Sequence, residues 1–226
     1  MSSKNYHKYV IEDGKFIGKF EEMYQEISDP WACLSNKNSL GNDILLLLMK
    51  HLKHKNKKKI SIFDVGCGLG GLTKRIKTLF PEAKIYACDV SSSAILKAKK
   101  RKGIEFFVYD ILNQSRSELF LKDNSLDLIV MSQVIFYLLP RLSNILELFY
   151  KLLTDGGGVI IQQAFFCSDV QKYGNKIFEK TTDLKKYLSQ AGFEICSHVD
   201  FNPSNELHRP QNCIVAALKD APVSNG

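Results

Sequence analysis

Apolar residues along this chain fall into short runs that alternate with segments of helical periodicity. The runs that indicate strands span 60–65, 84–88, 105–109, 126–131 and 159–162. Segments between them place apolar residues three or four positions apart, most clearly from Leu142 to Leu153, as an amphipathic helix does. Strands that alternate with helices predict an α/β domain in which a parallel sheet is covered by helices on both faces.

The end of the chain departs from this alternation. A helix-like segment at 183–191 is followed by apolar runs at 194–199 and 213–218, with no helix between the two runs. Two consecutive strands joined by a loop predict an antiparallel hairpin at the edge of the sheet. The expected sheet is therefore mostly parallel and seven-stranded, with an antiparallel C-terminal strand.

The first 55 residues form a separate predicted element. The apolar face of a first helix consists of Phe16, Ile17, Phe20, Met23, Tyr24 and Ile27. Asp29 and Pro30 end that helix, and a second helix is predicted over 39–52. Because such short helices with one apolar face are marginal alone, we expect them to pack over the main domain. The expected divisions are a helical cap at 1–55, a main domain at 56–220 and a tail at 221–226.

The composition agrees with a globular domain. The chain has 226 residues, of which 45% are hydrophobic and 24% are charged, and both fractions are ordinary for soluble proteins. The longest apolar stretch, 44–49, is too short to span a bilayer. The first residues lack the apolar core of a signal peptide. These features predict a cytoplasmic protein without a membrane segment.

The formal net charge of +7 raises the question of nucleic acid. Much of the excess lies in the lysine-rich segments 50–59 and 97–102. Lysines near the end of a helix interact favourably with its dipole and need no ligand, and a nucleic-acid site more often combines charge with aromatic residues or a recognisable module. The charge therefore favours a solvated surface, with nucleic acid kept as an alternative partner.

The six cysteines are widely spread and form no Cys-x-x-Cys pair. Cys67, Cys88, Cys196 and Cys213 lie in or beside the apolar runs. Because disulfide frameworks and metal sites need clustered cysteines, we expect reduced, mostly buried thiols and no metal.

A glycine-rich loop, Asp-Val-Gly-Cys-Gly-Leu-Gly-Gly, joins the first strand of the main domain to a helix-like segment. Glycines allow positive φ angles and close approach of the backbone to a ligand, and N–H groups at a helix start favour a polar or negative group. Gly66, Gly68 and Gly71 match the dinucleotide pattern G-x-G-x-x-G. A second pattern, D-x-G-x-G-x-G, is matched by Asp64, Gly66, Gly68 and Gly70.

This second pattern resembles the signature of the class I, Rossmann-like methyltransferases that use S-adenosylmethionine. In that family the acidic residue of the first strand helps to orient the amino group of the methionine moiety, a role that the resemblance assigns to Asp64. An NAD site has no particular use for a carboxylate two residues before the first glycine. The resemblance also implies that the fold is a Rossmann-like three-layer sandwich.

Two further carboxylates follow strand-like runs. Asp89 ends the second run, where a carboxylate can accept hydrogen bonds from both ribose hydroxyls of NAD or of S-adenosylmethionine. Asp110 ends the third run, and in methyltransferases of this type an acidic residue there contacts the adenine amino group, with Ile111 beside the ring. Each could alone be a cap or turn residue, but carboxylates at three consecutive strand ends favour a nucleoside cofactor.

The resemblance covers residues 60–218. The cofactor contacts that it implies are Asp64, Gly66, Cys67, Gly68, Gly70, Asp89, Val90, Asp110, Ile111, Ser132 and Gln133. Trp31 is a further candidate cofactor contact, in a lid formed with Tyr24, and hydrophobic docking of the N-terminal helices is the alternative. In addition, Asp-Pro-Trp at 29–31 and Gln-x-Tyr-Gly at 171–174 are similar to methyltransferases of the nodulation-factor N-methyltransferase kind.

Candidate contacts to the methyl acceptor are Tyr24, Tyr137, His208 and Arg209. A hydroxyl acceptor usually needs a general base, whereas an amine needs only to be neutral and well aimed. Many relatives carry histidines after the fourth strand, but this chain has Ser-Gln-Val-Ile-Phe-Tyr at 132–137. This difference puts histidine-assisted O-methylation in doubt.

These observations predict a methyltransferase that acts on an amine or hydroxyl of a small-molecule acceptor, either a metabolite or a sugar-like compound. RNA or protein methylation is the alternative, although the [Asn/Asp]-Pro-Pro-[Tyr/Phe] motif of base-amine methylation does not follow the fourth strand. An NAD(P)-dependent oxidoreductase would need a Tyr-x-x-x-Lys pair or a separate catalytic domain, and neither is recognisable. A cofactor-binding protein without catalysis stays open.

Overall fold

A computed structural model describes residues 7–32, 34, 39–52, 59–165, 173–174, 177–202 and 211–220. The strands are β1 (Ile11–Glu12), β2 (Lys15–Phe16), β3 (Ser61–Val65), β4 (Lys84–Asp89), β5 (Glu105–Val108), β6 (Leu126–Ser132), β7 (Leu153–Phe165), β8 (Phe193–Phe201) and β9 (Gln211–Lys219). The α-helices are α1 (His7–Val10), α2 (Phe20–Glu26), α3 (Leu40–His51), α4 (Gly71–Leu79), α5 (Ser92–Ala98), α6 (Ile135–Leu138), α7 (Leu142–Leu152) and α8 (Thr181–Gln190).

Seven strands form one sheet in the order β5-β4-β3-β6-β7-β9-β8. The pairs from β5 to β7 are all parallel, whereas β9 is antiparallel to both β7 and β8. This arrangement confirms the predicted mostly parallel sheet with its antiparallel strand near the C-terminus. The chain fills one side of β3 first and then returns to the other side, so the order of strands reverses between β3 and β6.

The central strands are apolar on both faces because each face is covered by helices. Ile62 and Ile160 belong to a core layer that includes Leu45 of α3, whereas Phe63 and Ile161 belong to the opposite layer with the apolar face of α7. Side chains that alternate along each strand therefore fill two cores, one on each side of the sheet. The Rossmann-like three-layer fold is confirmed.

The N-terminal segment is less helical than predicted. Only Phe20 to Glu26 form the first predicted helix, while Phe16 pairs with Ile11 in the small β1–β2 hairpin. Asp13 and Gly14 at the hairpin turn and Gly18 before α2 all have positive φ, at 50°, 74° and 63°. Residues in the left-handed region interrupt a helix. The prediction of one helix that includes Phe16 and Ile17 was therefore wrong.

The glycine turn that was predicted ahead of the fifth main strand lies within β7. Leu153 pairs with Leu126, and Gly158 then pairs with Leu128, so β7 carries three more residues than β6 between these two pairs. Gly156 has a φ of 70° in the intervening bulge. Paired residues on both sides of the irregularity extend the strand back to Leu153.

The cap packs on the main domain, as expected for short amphipathic helices. Met23 and Tyr24 of α2 share a buried cluster with Leu69 of the glycine loop and Ala94 of α5. Ser39 begins α3 by accepting a hydrogen bond from the Asn42 backbone N–H at 3.4 Å. Within the described part of the chain, no helix has the length and apolar character needed to cross a membrane.

Candidate functional site

A cavity of about 960 Å³ lies over the carboxyl ends of the central strands. In sheets of this kind, ligands bind outside the carboxyl ends of the strands where the strand order reverses, which here is between β3 and β6. The described walls come from the glycine loop, the ends of β4 to β7 and β9, the first turn of α3, and the N-terminal cap. The position agrees with the site that the sequence predicted.

The glycine loop forms the floor of the cavity beside β3. Gly66, Gly68 and Gly70 have φ angles of 72°, 52° and 72°, which residues with a Cβ rarely adopt. A Cβ on Gly66 would lie 2.6 Å from Val134. The backbone N–H groups of Gly66 and Cys67 both donate to the Cys88 carbonyl at 2.9 Å, which ties the loop to β4. The loop therefore brings the backbone of Gly66, Cys67 and Gly68 to the cavity wall.

Asp64 is buried near the end of β3 and lines the cavity. One of its oxygens accepts a hydrogen bond from Thr73 Oγ1 at 2.5 Å. Burial raises the pKa of this carboxyl to about 6, and the nearby charge of Asp89 adds to the increase, while the Thr73 bond opposes it. A positively charged or donor-bearing ligand would stabilise the ionised form of such a buried carboxylate.

Asp89 ends β4 and holds the loop and the next helix in place. Its Oδ2 accepts the Gly68 N–H at 2.8 Å and its Oδ1 accepts the Ser91 N–H at 3.0 Å. Burial raises the pKa of Asp89, although these backbone donors oppose the increase. Each carboxylate oxygen has a second lone pair with which it can accept a ligand hydroxyl.

Asp110 follows β5 and also lines the cavity, together with Ile111. Its Oδ1 accepts the Leu112 N–H at 2.9 Å, and its Oδ2 accepts the Asn113 side-chain amide at 2.8 Å. The carboxylate thus shapes its own turn while facing the cavity. Val90 lines the same rim and is 41% exposed.

Ser132 ends β6 and Gln133 follows it, and both line the cavity wall. Gln133 has a φ of 61°, and its side-chain oxygen accepts the Ala164 N–H at 2.9 Å. This bond fixes the turn after β6 against the end of β7. A φ in this region is uncommon for a residue other than glycine, and the bond to Ala164 helps to hold Gln133 there.

Aromatic rings of the N-terminal cap line the cavity. Tyr137 of α6 stacks on Phe16 with ring centroids 5.7 Å apart, meets Phe20 edge-on at 5.1 Å and lies 6.2 Å from Trp31. Tyr24 has its hydroxyl against the glycine loop, where a Cβ on Gly68 would be 2.7 Å away. Of the predicted acceptor residues, Tyr24 therefore lies beside the loop, whereas Tyr137 lies beneath the cap.

Glu21 fastens this cap to the main domain, which sequence reasoning missed. Its carboxylate accepts hydrogen bonds from Ser91 Oγ at 2.6 Å, Ser93 Oγ at 2.6 Å and the Ser93 N–H at 3.1 Å. Partial desolvation raises the pKa of Glu21, but these donors outweigh it and hold the pKa at about 2. The serine cluster was predicted as a helix cap, and an acidic residue 70 positions away gives no local signal of its role.

The side of the cavity over β7 and β9 contains residues that the sequence did not single out. Gln162 and Asn212 are both buried there, and both line the cavity. Two adjacent glutamines at the end of an otherwise apolar strand were the available signal. His208, Arg209 and positions 171–172 lie outside the described residues.

The wall residues suit S-adenosylmethionine. The ammonium group, the ribose hydroxyls and the adenine amino group are all hydrogen-bond donors, and the cavity presents carboxylates at the ends of three successive parallel strands. Gly66 and Gly68 line the cavity, and Val134 and Tyr24 lie so close to them that a Cβ would not fit. The donor groups of the cofactor and the acceptor groups of the wall are therefore complementary.

Comparison with known proteins agrees with this chemistry. A family model described as a methyltransferase domain matches residues 63–159. A malonyl-[acyl-carrier protein] O-methyltransferase of Bacillus cytotoxicus is 30% identical over 147 residues, which cover 64% of this chain and 48% of that protein. The chain therefore spans less than half the length of this relative.

Solved structures share the fold at low sequence identity. The CurJ carbon methyltransferase superposes with a TM-score of 0.67 at 17% identity, covering 91% of this chain and 63% of the other. Geranyl diphosphate C-methyltransferase from Streptomyces coelicolor, solved with Mg²⁺, geranyl diphosphate and S-adenosylhomocysteine, has a TM-score of 0.64 at 13% identity, with coverages of 86% and 85%. Together, the methyltransferase-domain match over residues 63–159, the shared fold and the acidic, glycine-lined cavity support a class I methyltransferase that uses S-adenosylmethionine as methyl donor.

Proposed function

We propose that this methyltransferase transfers the methyl group to an amine or hydroxyl group of a small-molecule acceptor. The observation that carries the proposal is the cavity of about 960 Å³, near the upper end of the roughly 300–1,000 Å³ typical of small-molecule sites. A cavity of that size has room for the cofactor and a small acceptor side by side. Its amide and aromatic walls suit an acceptor with both polar and apolar parts.

In this proposal each of three carboxylates binds a different part of the cofactor. Asp64 accepts from the ammonium of the methionine moiety, Asp89 from the ribose hydroxyls and Asp110 from the adenine amino group, with Ile111 beside the ring. The remaining proposed contacts are Gly66, Cys67, Gly68, Gly70, Val90, Ser132, Gln133 and Trp31. Tyr24 is assigned to the cofactor side because its hydroxyl lies against Gly68.

Bound S-adenosylmethionine supplies an electrophilic methyl group on a sulfonium. The residues of this chain need to hold donor and acceptor in line and to exclude water. The aromatic rings of Phe16, Phe20 and Trp31 are suited to exclusion of water, because they pack around Tyr137 where they line the cavity. Tyr137, which packs against these rings, is the proposed contact to the acceptor.

Methylation of an acyl group attached to a carrier protein is a second candidate. It is supported by the matched relative from Bacillus cytotoxicus, which is a malonyl-[acyl-carrier protein] O-methyltransferase. The two candidates differ in whether a protein must deliver the acceptor.

Release of S-adenosylhomocysteine should be measured with a panel of small amines and alcohols and, in parallel, with a malonyl-loaded carrier protein. We expect turnover with at least one free small molecule. Turnover with the loaded carrier protein alone would contradict the proposal and favour the second candidate. Asp89→Asn serves as the inactive reference, and Asp123→Asn, at an exposed carboxylate paired with Arg116, serves as its matched control.

A further inference from the structure

Among the described residues that line the cavity, Gln162 near the end of β7 has an incomplete set of hydrogen bonds. The residue is 4% exposed, and its Oε1 is buried without a hydrogen-bond partner. The neighbouring Gln163 differs, since its Oε1 accepts the Ile135 N–H at 3.2 Å and its Nε2 donates to the Ala164 carbonyl at 3.1 Å. An unpaired buried carbonyl is costly, and in native proteins it calls for a functional or solvent explanation.

Gly41, Gln162 and Asn212 line one part of the cavity, which is called the compartment below. Gly41, in the first turn of α3, lies so close that a Cβ there would be 2.2 Å from Gln162 Nε2 and 3.1 Å from Phe201. Asn212, which pairs with Phe201 across the β8–β9 ladder, lines the same region. The missing side chain at Gly41 is therefore what leaves room for the Gln162 amide.

This compartment lies away from the strands that carry Asp89 and Asp110. Gln162 pairs with Ser132 of β6, and β6 in turn pairs with β3. Two strand spacings put Gln162 roughly 10 Å from the β3 backbone, on the opposite side from β4 and β5. An acceptor in the compartment would thus face a cofactor held at the other end of the cavity.

We propose that Gln162 recognises the methyl acceptor, its side-chain carbonyl accepting a hydrogen bond from the N–H or O–H group that is to be methylated. The inference rests on the proposed small-molecule function. The last torsion of a glutamine side chain has a broad profile, so the amide can turn its carbonyl toward a ligand. A methyl ether or fully methylated amine lacks this donor, so the site selects substrate over product.

The experiment measures binding to the protein loaded with S-adenosylhomocysteine, which does not depend on turnover. The probes are benzyl alcohol and benzyl methyl ether, compared by ligand-observed NMR titration of wild type, Gln162→Met and Gln190→Met. Methionine keeps the length of the side chain without its amide, and Gln190 is an exposed glutamine of α8. We expect wild type and Gln190→Met to prefer the alcohol at least fivefold and Gln162→Met to bind both probes equally.

Three outcomes would overturn the inference. The first is an alcohol preference that Gln162→Met retains, and the second is a wild-type protein that does not bind the alcohol. The third is a Gln162→Met variant whose affinity for S-adenosylhomocysteine also falls more than twofold, which would place Gln162 in the cofactor site. Failure of the proposed function appears separately, as absent S-adenosylhomocysteine release with every free small molecule.

Discussion

The hydroxyl of Tyr24 lies so close to Gly68 that a Cβ at residue 68 would be only 2.7 Å from it. This contact joins the N-terminal cap to the loop that we propose holds the cofactor. Gly68 also donates its N–H to Asp89. This one glycine of the loop therefore contacts both the N-terminal cap and the carboxylate that we propose binds the ribose.

Gly68→Ala should weaken S-adenosylmethionine binding more than about tenfold, because 1.4 kcal/mol of lost interaction suffices for that change. The new methyl group would displace Tyr24 and impose strain at a φ of 52°. Gly103→Ala is the matched control, since Gly103 also has a positive φ of 75° but faces the flexible end of Lys77. Equal loss of affinity in both variants, measured by calorimetry, would show that the Tyr24 contact is irrelevant to the site.

Asp64→Asn should make the protein more stable and weaken its binding of S-adenosylmethionine. Because burial raises the pKa of Asp64 to about 6 from its ordinary value of 3.8, the ionised carboxylate destabilises the free protein at neutral pH. The amide can still accept the Thr73 hydroxyl. Urea denaturation at pH 7.5 should give a free energy of unfolding higher by roughly 1–3 kcal/mol, while S-adenosylmethionine affinity falls. A variant that is less stable and binds normally would contradict the assignment.

Stability should depend on pH with a definite sign at the same residue. The folded protein binds the Asp64 proton more tightly than the unfolded chain does, so this group favours folding below about pH 4, and that contribution is lost as pH rises through about 6. Asp64→Asn should therefore gain most over wild type above pH 6 and least near pH 4. A stability difference that does not change with pH in urea titrations would rule out Asp64 as the titrating group.

Cofactor binding should show the opposite trend. Only the ionised Asp64 pairs with an ammonium, so the Kd for S-adenosylmethionine should rise about tenfold between pH 7.5 and pH 5. The raised pKa of Asp89 acts in the same direction. Calorimetry at a series of pH values tests this, and a Kd that is constant over the range would contradict the proposed ammonium contact.

Glu21→Ala should loosen the cap without unfolding the main domain. The substitution removes the acceptor of the Ser91 and Ser93 hydrogen bonds, so hydrogen exchange of residues 20–26 should accelerate relative to wild type. Glu22→Ala, at the exposed neighbouring position of α2, is the matched control. Exchange of both variants at the wild-type rate would show that the Glu21 hydrogen bonds do not hold the cap on the main domain.

The sequence predicted the parts of the site that follow from strand order. Carboxyl ends of parallel strands meet at one edge, so Asp64, Asp89 and Asp110 could be placed together from the pattern alone. Gln162 could not be recognised, because its close approach to Gly41, which is distant in sequence, exists only in the folded chain. The N-terminal cap also differs from the prediction. Part of the predicted helix is a hairpin there, because residues with positive φ angles interrupt the helix.

The central claim is that carboxylates at three strand ends hold S-adenosylmethionine. Calorimetry with S-adenosylmethionine and with NAD tests it most directly, using wild type, Asp89→Ala and the exposed control Asp123→Ala. We expect wild type and Asp123→Ala to bind S-adenosylmethionine at one site, Asp89→Ala to bind it at least tenfold more weakly, and none of the three to bind NAD. Binding of NAD in place of S-adenosylmethionine, or an affinity unchanged by Asp89→Ala, would contradict it.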